Sequence, residues 1–187
     1  NVAQLASDTV RRALKYPNLQ YASLMFNLVD PTQPSRPHPI FSERAVRRAL
    51  TMAVDRNAML RNVFDTLGQP LYGPFPSGIA VADTTLPQIS YDTVRARALL
   101  DSAGWIVGPD GVRSKNGRRL AFALSSPNSS ASRHQYAILL QAAMRKVGAD
   151  VTLEETDFAT FVSQQTTHAF DTEISLFATD PSVSGCK

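Results

Sequence analysis

The chain has 187 residues, 43% of them hydrophobic, and a net charge of +3 at pH 7. This length and composition suffice for one sizeable core and are not those of a disordered chain. The arginines are scattered among acidic residues, with neither a block of like charge nor a basic stripe, which argues against nucleic-acid binding. No apolar run approaches the roughly 18 to 20 residues of a membrane span. The single cysteine, Cys186, has no partner for an internal disulfide.

The first part of the chain is predicted to contain a helix, a strand and a loop. Apolar spacing indicates a weak helix over residues 1–14, and the apolar run 21–28 has the length of a buried strand. Residues 30–39 contain four prolines, which lack a backbone donor and favour an extended loop.

Residues 41–55, with the sequence FSERAVRRALTMAVD, form the pattern around which the chain is organised. Ser42 is predicted to cap a helix whose apolar positions recur with a period of 3.6 residues. Its arginines, Arg44, Arg47 and Arg48, are predicted to form either the solvated face of this helix or part of a surface that meets another protein. Asp55 is predicted to cap a second helix, which ends near Gly68. One apolar face of the first helix therefore belongs to the core.

The same segment resembles a known family. The spacing of Asn27, Phe41 and the helix pair is similar to the segment "fN…pF.d..vRqAl..AiDr" of the peptide and nickel class of ABC-transporter solute-binding proteins. A second resemblance is DTVRARALLDSAGW at residues 92–105, where Asp92 caps a helix with Val94, Ala98, Leu99 and Ala103 as its buried stripe. Gly104 is predicted to end this helix.

The remaining elements alternate between strands and helices. A hairpin over residues 108–119 leads into a strand at 120–124, and Ser132 is predicted to cap a long helix that ends at Gly148. A strand at 149–153, a helix at 157–165 and a strand at 171–177 follow. This order predicts an α/β fold with right-handed crossovers, and its succession is the third resemblance to the family. The resemblance implies a type II periplasmic-binding-protein-like lobe, a mixed sheet flanked by helices.

Nothing in the sequence argues for an enzyme, a cofactor or a metal site. His38, His134 and His168 share no metal-ligand spacing with one another or with Cys186, and are predicted to be ordinary surface or loop residues. The acidic residues Glu154, Glu155 and Asp157 could act as a carboxylate pair, but capping by Asp157 explains them more simply.

The resemblance implies four ligand-binding positions near the end of the chain. In the family's oligopeptide-binding members an aromatic residue opens the last helix and an arginine lies near its end, and the next strand finishes in a tryptophan and an aspartate. These positions correspond here to Phe158, Gln165, Phe177 and Asp180. A buried Asp180 could pair with a peptide ammonium group between aromatic walls, or Asp180-Pro181 could simply be a turn. Gln165 stands where those members have an arginine that would meet a peptide carboxylate, so the resemblance does not extend to this contact.

The resemblance further implies a domain organisation, a function and a cellular location for the protein. Residues 1–187 are expected to form a single domain, the incomplete C-terminal lobe of a two-lobe protein whose first lobe and return segment are absent. The expected function is extracytoplasmic capture of a solute, a peptide in the first instance, by a monomer that serves an ABC-transporter permease. It would be periplasmic or extracellular, and would meet the membrane only through a lipid anchor outside this fragment. The alternatives are a ligand-sensing domain of a transcriptional regulator and a binding protein for a nickel chelate or an oligosaccharide.

Overall fold

The computed structural model describes residues 19–65, 67–79 and 82–178. The helix expected over residues 1–14 lies outside this range. The chain divides into two compact units, one formed by Asn1–Tyr21, Leu71–Leu86 and Phe177–Lys187, the other by Ala22–Pro70 and Pro87–Leu176. The second unit contains the buried core and all five helices of the described residues.

The helices and strands follow the predicted order. The helices are α1 (Arg44–Met52), α2 (Arg56–Phe64), α3 (Thr93–Ser102), α4 (Ala131–Arg145) and α5 (Phe158–Thr167). The strands are β1 (Gln20–Phe26), β2 (Ile106–Val107), β3 (Arg113–Lys115), β4 (Arg118–Arg119), β5 (Ala121–Pro127), β6 (Asp150–Thr156) and β7 (Thr172–Ala178). Among the described residues, no helix combines the length and the apolar character that crossing a membrane requires.

The main sheet has four strands in the order β1, β7, β5, β6. Strand β5 is parallel to β6 on one side and to β7 on the other. Contacts at both ends of β1 show that it runs antiparallel to β7. The Asn27 amide, after the end of β1, donates to the Asp171 carbonyl just before β7, and Tyr21, near the start of β1, stacks on Phe177 near the end of β7. The sheet is therefore mixed, as expected, and helices α4 and α5 pack against its parallel part.

Helix α1 carries the centre of the core. Its residues Val46, Ala49 and Leu50 are fully buried, and the preceding Phe41 packs its ring between Phe26 and Phe122 at centroid distances of 5.0 and 4.9 Å. Burying an apolar side chain of this size contributes about 1.5 to 3 kcal/mol, as an upper estimate. The predicted core face of this helix is confirmed.

The helix caps were predicted with mixed success. The carboxylates of Asp55, Asp92 and Asp157 accept backbone amides at the starts of α2, α3 and α5, as predicted. The prediction for Ser42 is wrong. Backbone hydrogen bonds from Ser42 to the His38 carbonyl and from Glu43 to Ile40 close a turn there, so α1 begins only at Arg44.

Two further expectations about helices are wrong. Helix α4 begins after Ser130 and not after Ser132, because the Ser130 hydroxyl accepts the Arg133 amide and Ser132 already lies within the helix. In α3 the buried face differs from the predicted one. Val94, predicted to be buried, is 69% exposed, whereas Ala96 and Leu100, which were not predicted, are buried. Neither change alters the fold, because the helices themselves form where the apolar period places them.

Arg113 in the hairpin sheet β2–β3–β4 is a buried charge that the sequence pattern did not reveal. It is 2% exposed, its Nε donates to the Val147 carbonyl at 2.8 Å, and its Nη1 donates to Asp101 and the Trp105 carbonyl, both at 2.5 Å. A buried guanidinium is tolerated when its donors are paired in this way. Arg113 therefore fixes the hairpin to α3 and to the end of α4.

His38 also differs from the expectation of an ordinary surface or loop histidine. It lies in the loop before α1 but is only 1% exposed. Its Nδ1 accepts the backbone amides of Ile40 and Phe41, so Nε2 carries the proton and donates to Asp171 at 3.0 Å. The other Asp171 oxygen accepts the Ala123 amide. This histidine ties the loop to β5 and to the start of β7.

Candidate functional site

The predicted ligand-binding residues fall in different parts of the chain. Phe158 and Gln165 lie on the same side of α5, seven residues or about 10 Å apart along the helix axis. Phe177 belongs to the other compact unit, where its half-buried ring stacks on Tyr21 at 5.4 Å. Asp180 lies outside the described residues. The part of the site that the structure describes in full is therefore α5 and the strands beside it.

Gln165 is held in place by two buried side chains of β7. Its amide nitrogen donates to Glu173 Oε1 at 2.6 Å and to the Ser175 hydroxyl at 2.9 Å. Ser175 in turn donates to Glu173 Oε1 at 2.6 Å. The donors of Gln165 are thus used within the protein, and its carbonyl oxygen accepts no hydrogen bond from the described residues.

Glu173 is fully buried, yet only one of its carboxylate oxygens is paired. Oε2 has no hydrogen-bond partner among the described residues. A complementary charge that acts on Glu173 is Arg133 in the first turn of α4, whose Nε and Nη1 are also buried and have no partner among the described residues. Burial holds the pKa of Arg133 below its usual value, and the negative charge of Glu173 opposes that shift. The two groups attract each other without forming a direct ion pair.

Arg133 also faces the helix that carries Gln165. Its guanidinium carbon lies 5.8 Å from the ring centroid of Phe161, a buried residue of α5. A cation over an aromatic face at this distance is weakly attractive. Arg133 therefore bridges α4 and α5, and we call Arg133, Gln165, Glu173 and Ser175 the polar cluster.

The polar cluster lies near the carboxyl ends of β5 and β6 and beside the first half of β7. Ser125, near the end of β5, is in register with Glu173 of β7 and with Glu154 of β6. Ligands in open α/β sheets bind outside the carboxyl ends of the strands, where the polar ends of loops and helices converge. Phe158 opens α5 after the carboxyl end of β6 and is 57% exposed, so the start of this helix offers an apolar surface.

The acidic residues near this edge are engaged in local structure. Asp157 accepts the amides of Ala159 and Thr160 and the Thr160 hydroxyl, and these bonds lower its pKa, the hydroxyl most strongly. Glu155 pairs with His134 Nδ1 at 2.7 Å. The capping interpretation of this acidic group is confirmed. The described residues contain no group of three or more His, Cys, Asp or Glu side chains that could hold a metal ion.

Sequence reasoning missed three members of the polar cluster, Arg133, Glu173 and Ser175. Glu173 could have been noticed, because it is a charged residue inside the otherwise apolar and hydroxylic strand TEISLFA. An acidic residue is rarely buried unless it is paired. Arg133 carries no local signal, since an arginine in the first turn of a helix usually points to solvent.

Comparisons with known proteins identify the family. The profile of "Bacterial extracellular solute-binding proteins, family 5 Middle" matches residues 1–184. The nickel-binding periplasmic protein of Escherichia coli (strain K12) is 37% identical over 114 residues, which are 60% of this chain and 22% of that protein. The oligopeptide-binding protein AppA of Bacillus subtilis (strain 168) is 29% identical over 128 residues, 67% of this chain and 24% of AppA.

Solved structures agree on the fold. NikA from Brucella suis, in complex with Fe(III)-EDTA, matches with a TM-score of 0.78 and 26% identity, over 90% of this chain and 33% of NikA. AppA in complex with a nonapeptide matches with a TM-score of 0.72 and 23% identity, over 86% of this chain and 33% of AppA. The chain spans about a quarter of the curated relatives and about a third of the solved proteins. By this evidence the chain belongs to the bacterial extracellular solute-binding proteins of family 5, as a part of their middle region with the type II periplasmic-binding-protein fold.

Proposed function

We propose that the full-length protein captures a peptide outside the cytoplasm and passes it to the permease of an ABC transporter, without catalysing a reaction. This chain would supply most of the second lobe, and the ligand would be held between this lobe and the first. The protein would act as a monomer in the periplasm or at the cell surface, where a lipid anchor outside this chain could hold it.

The observation that carries the proposal is that α5 presents the exposed ring of Phe158 at its start and holds Gln165, a member of the polar cluster, about two turns further along. A peptide presents charged ends, amide groups and varied side chains, so its site needs both polar groups and apolar walls. Gln165 donates a hydrogen bond to Glu173 and another to Ser175, and this fixed geometry reduces the entropy lost when a ligand binds beside it.

The four predicted ligand-binding residues take distinct roles in this proposal. Asp180 would pair with the ligand ammonium group, and Phe158 and Phe177 would form apolar walls that accept different side chains. Gln165 would use its carbonyl oxygen, because both hydrogen bonds of its amide nitrogen are made inside the lobe. The similarity to AppA, whose structure contains a nonapeptide, supports a peptide as the ligand.

A nickel chelate is the second candidate ligand. The similarity to the nickel-binding protein of Escherichia coli is higher in identity than the similarity to AppA, 37% against 29%. A small nickel chelate offers the protein few apolar groups to contact, unlike a peptide with its varied side chains. It would therefore bind to the polar cluster more than to the aromatic walls.

Calorimetric titration of the full-length protein distinguishes these ligands. The probes are a tryptic digest of casein as a peptide mixture and the nickel complex of histidine, and native mass spectrometry identifies any bound component. The proposal expects binding of peptides from the digest. Binding of the nickel complex without any peptide would assign the protein to chelate uptake, and binding of neither would contradict the proposed function.

Substitution of Asp180 tests the main contact. In the full-length protein, Asp180→Ala is expected to weaken the selected peptide by about 2 to 5 kcal/mol, the usual cost of removing one partner of a buried charge pair. The matched control is Asp83→Ala, which removes an exposed carboxylate that bonds only to its own turn at Thr85. Unchanged affinity in the Asp180 variant would remove this residue from the site.

A further inference from the structure

Helices α1 and α3 enclose a groove on the surface of the lobe. They pack antiparallel, since the amide of Asp92 at the start of α3 donates to the carbonyl of Met52 at the end of α1. Two adjoining hollows, of about 540 and 550 Å³, lie along them and share Arg44, Arg48, Met52 and Arg95 as lining residues. We call this the arginine groove.

The three arginines of the groove have no partner among the described residues. None of their guanidinium groups makes a hydrogen bond or an ion pair there. The other two arginines of these helices are engaged, since Arg47 donates to the carbonyls of Phe41 and Ser42 and Arg97 donates to that of Lys146. The carboxylate that lines the groove, that of Asp92, is occupied by capping α3.

The placement of these arginines does not stabilise the helices that carry them. Arg44 and Arg48 are four residues apart on α1, a spacing at which like charges repel. Arg44 is the first residue of α1 and Arg95 the third of α3, so both lie at the positive end of a helix dipole. A bound anion would offset all three unfavourable interactions.

The lining of the groove also includes apolar side chains. Met52 lies in both hollows, Ile89 in one and Leu99 in the other. A free inorganic anion would gain nothing from these side chains, whereas a polypeptide can place an apolar side chain on them. Arginine is enriched at protein interfaces, and its planar guanidinium pairs with carboxylates through two parallel hydrogen bonds.

We propose that the arginine groove is a docking surface for an acidic polypeptide segment that carries carboxylates on both sides of an apolar side chain. Anionic membranes fit the groove less well, because clusters that bind them generally contain about four to eight basic residues. Nucleic acid also fits less well, because proteins that bind it typically neutralise about six to ten phosphates. Three arginines beside a few apolar side chains match a narrow ligand that is both acidic and apolar. This inference does not depend on the identity of the transported solute.

The test measures binding of a designed peptide to the full-length protein. The probe is a short helical peptide with glutamates at positions i and i+4 beside a leucine, and its glutamine counterpart is the uncharged control. We expect the variant R44Q/R48Q/R95Q to bind the glutamate peptide at least about tenfold more weakly than the unsubstituted protein. The matched variant R36Q/R61Q/R118Q removes three exposed arginines elsewhere, and its affinity should change by less than about twofold.

A charge exchange sharpens the result. The variant R44E/R48E/R95E should reject the glutamate peptide and bind the same peptide with lysines in place of glutamates. Circular dichroism verifies folding, and the single substitution Arg95→Gln, with an expected loss of about threefold, replaces any variant that does not fold.

Three results would overturn the proposal. The first is no binding of the glutamate peptide at low salt, and the second is an equal loss of affinity in the matched control. The third is selective loss of binding to phosphatidylglycerol vesicles in R44Q/R48Q/R95Q while peptide affinity is unchanged, which would indicate a membrane surface instead.

Discussion

Two arginines of the chain, the buried Arg113 and the half-buried Arg133, are in opposite situations. Arg113 makes three hydrogen bonds, to the carbonyls of Val147 and Trp105 and to Asp101. Arg133 has two buried nitrogens without a partner among the described residues and faces a carboxylate, Glu173, that has one unpaired oxygen. The first residue joins elements of the scaffold, and the second lies at the carboxyl edge of the parallel strands.

The difference separates structural polar groups from candidate binding groups. A buried charge that is fully hydrogen-bonded contributes to stability by keeping the groups around it paired. A buried charge that is held in place but not fully paired retains hydrogen-bonding capacity, and such groups are common at binding sites. The polar cluster is therefore a better guide to function than the larger core around α1.

Replacement of each arginine by methionine should give the largest contrast. Arg113→Met leaves the carbonyls of Val147 and Trp105 buried without a donor, so the full-length protein should lose about 3 to 5 kcal/mol of unfolding free energy. Arg133→Met breaks no hydrogen bond among the described residues and loses the contact with Phe161 and the attraction of Glu173, so it should cost only about 1 kcal/mol. Urea denaturation measures both.

The exposed pair between Arg119 and Asp110 provides the control for this comparison. Arg119→Met should leave the urea midpoint nearly unchanged, because solvent screens an exposed pair. Equal losses in the Arg113 and Arg133 variants would show that the two arginines do not differ as described.

Substitutions of two glycines, Gly148 and Gly111, test how tightly the protein packs around the Arg113 side chain. Gly148 and Gly111 have positive φ angles of +87° and +80°, but a Cβ on Gly148 would lie 2.8 Å from Arg113 Cγ, whereas one on Gly111 would meet nothing within 4 Å. Gly148→Ala should cost about 2 to 4 kcal/mol, from strain and overpacking together, and Gly111→Ala about 1 to 2 kcal/mol from strain alone. Thermal unfolding of both variants gives the difference, which should vanish in an Arg113→Ala background.

The smallest predicted effect concerns the start of α5, the helix that carries Gln165. Hydrogen bonds from the Thr160 hydroxyl and from backbone amides lower the pKa of Asp157 below its usual value of 3.8. Its contribution to stability is therefore complete above pH 3.8 and is lost as the pH falls through the lower pKa of the folded state. Asp157→Ala should destabilise the protein modestly at pH 7 and progressively less below pH 3.8. A difference that does not change with pH would contradict this account.

The scaffold was largely predictable because its signals are local. The apolar period of residues 44–53 places the core face of α1, and three aspartates mark helix starts correctly. The errors occurred where several local arrangements were equally good. Ser130 and Ser132 can both cap a helix, and only the position of the Arg133 amide in the folded chain decides between them.

The candidate site was less predictable because it depends on contacts that the sequence does not place side by side. The resemblance to the family supplied Phe158, Gln165, Phe177 and Asp180, but not the residues that hold Gln165 in place. The charge of Glu173 stands out in the strand sequence, but its pairing with Gln165 and its register with Ser125 of β5 are set only by the folded chain. Arg133 becomes informative only when α4 and α5 are brought together at the sheet edge.

Hydrogen exchange of the full-length protein, measured with and without the casein digest, tests the central claim most directly. Amides that a ligand covers or rigidifies exchange more slowly, whereas those of remote elements keep their rates. We expect slower exchange at the start of α5 and in the carboxyl-terminal half of β7, with no change in α1 and α3. Unchanged exchange at α5 and β7 under conditions in which calorimetry shows the peptides bound would place the ligand elsewhere and contradict the account.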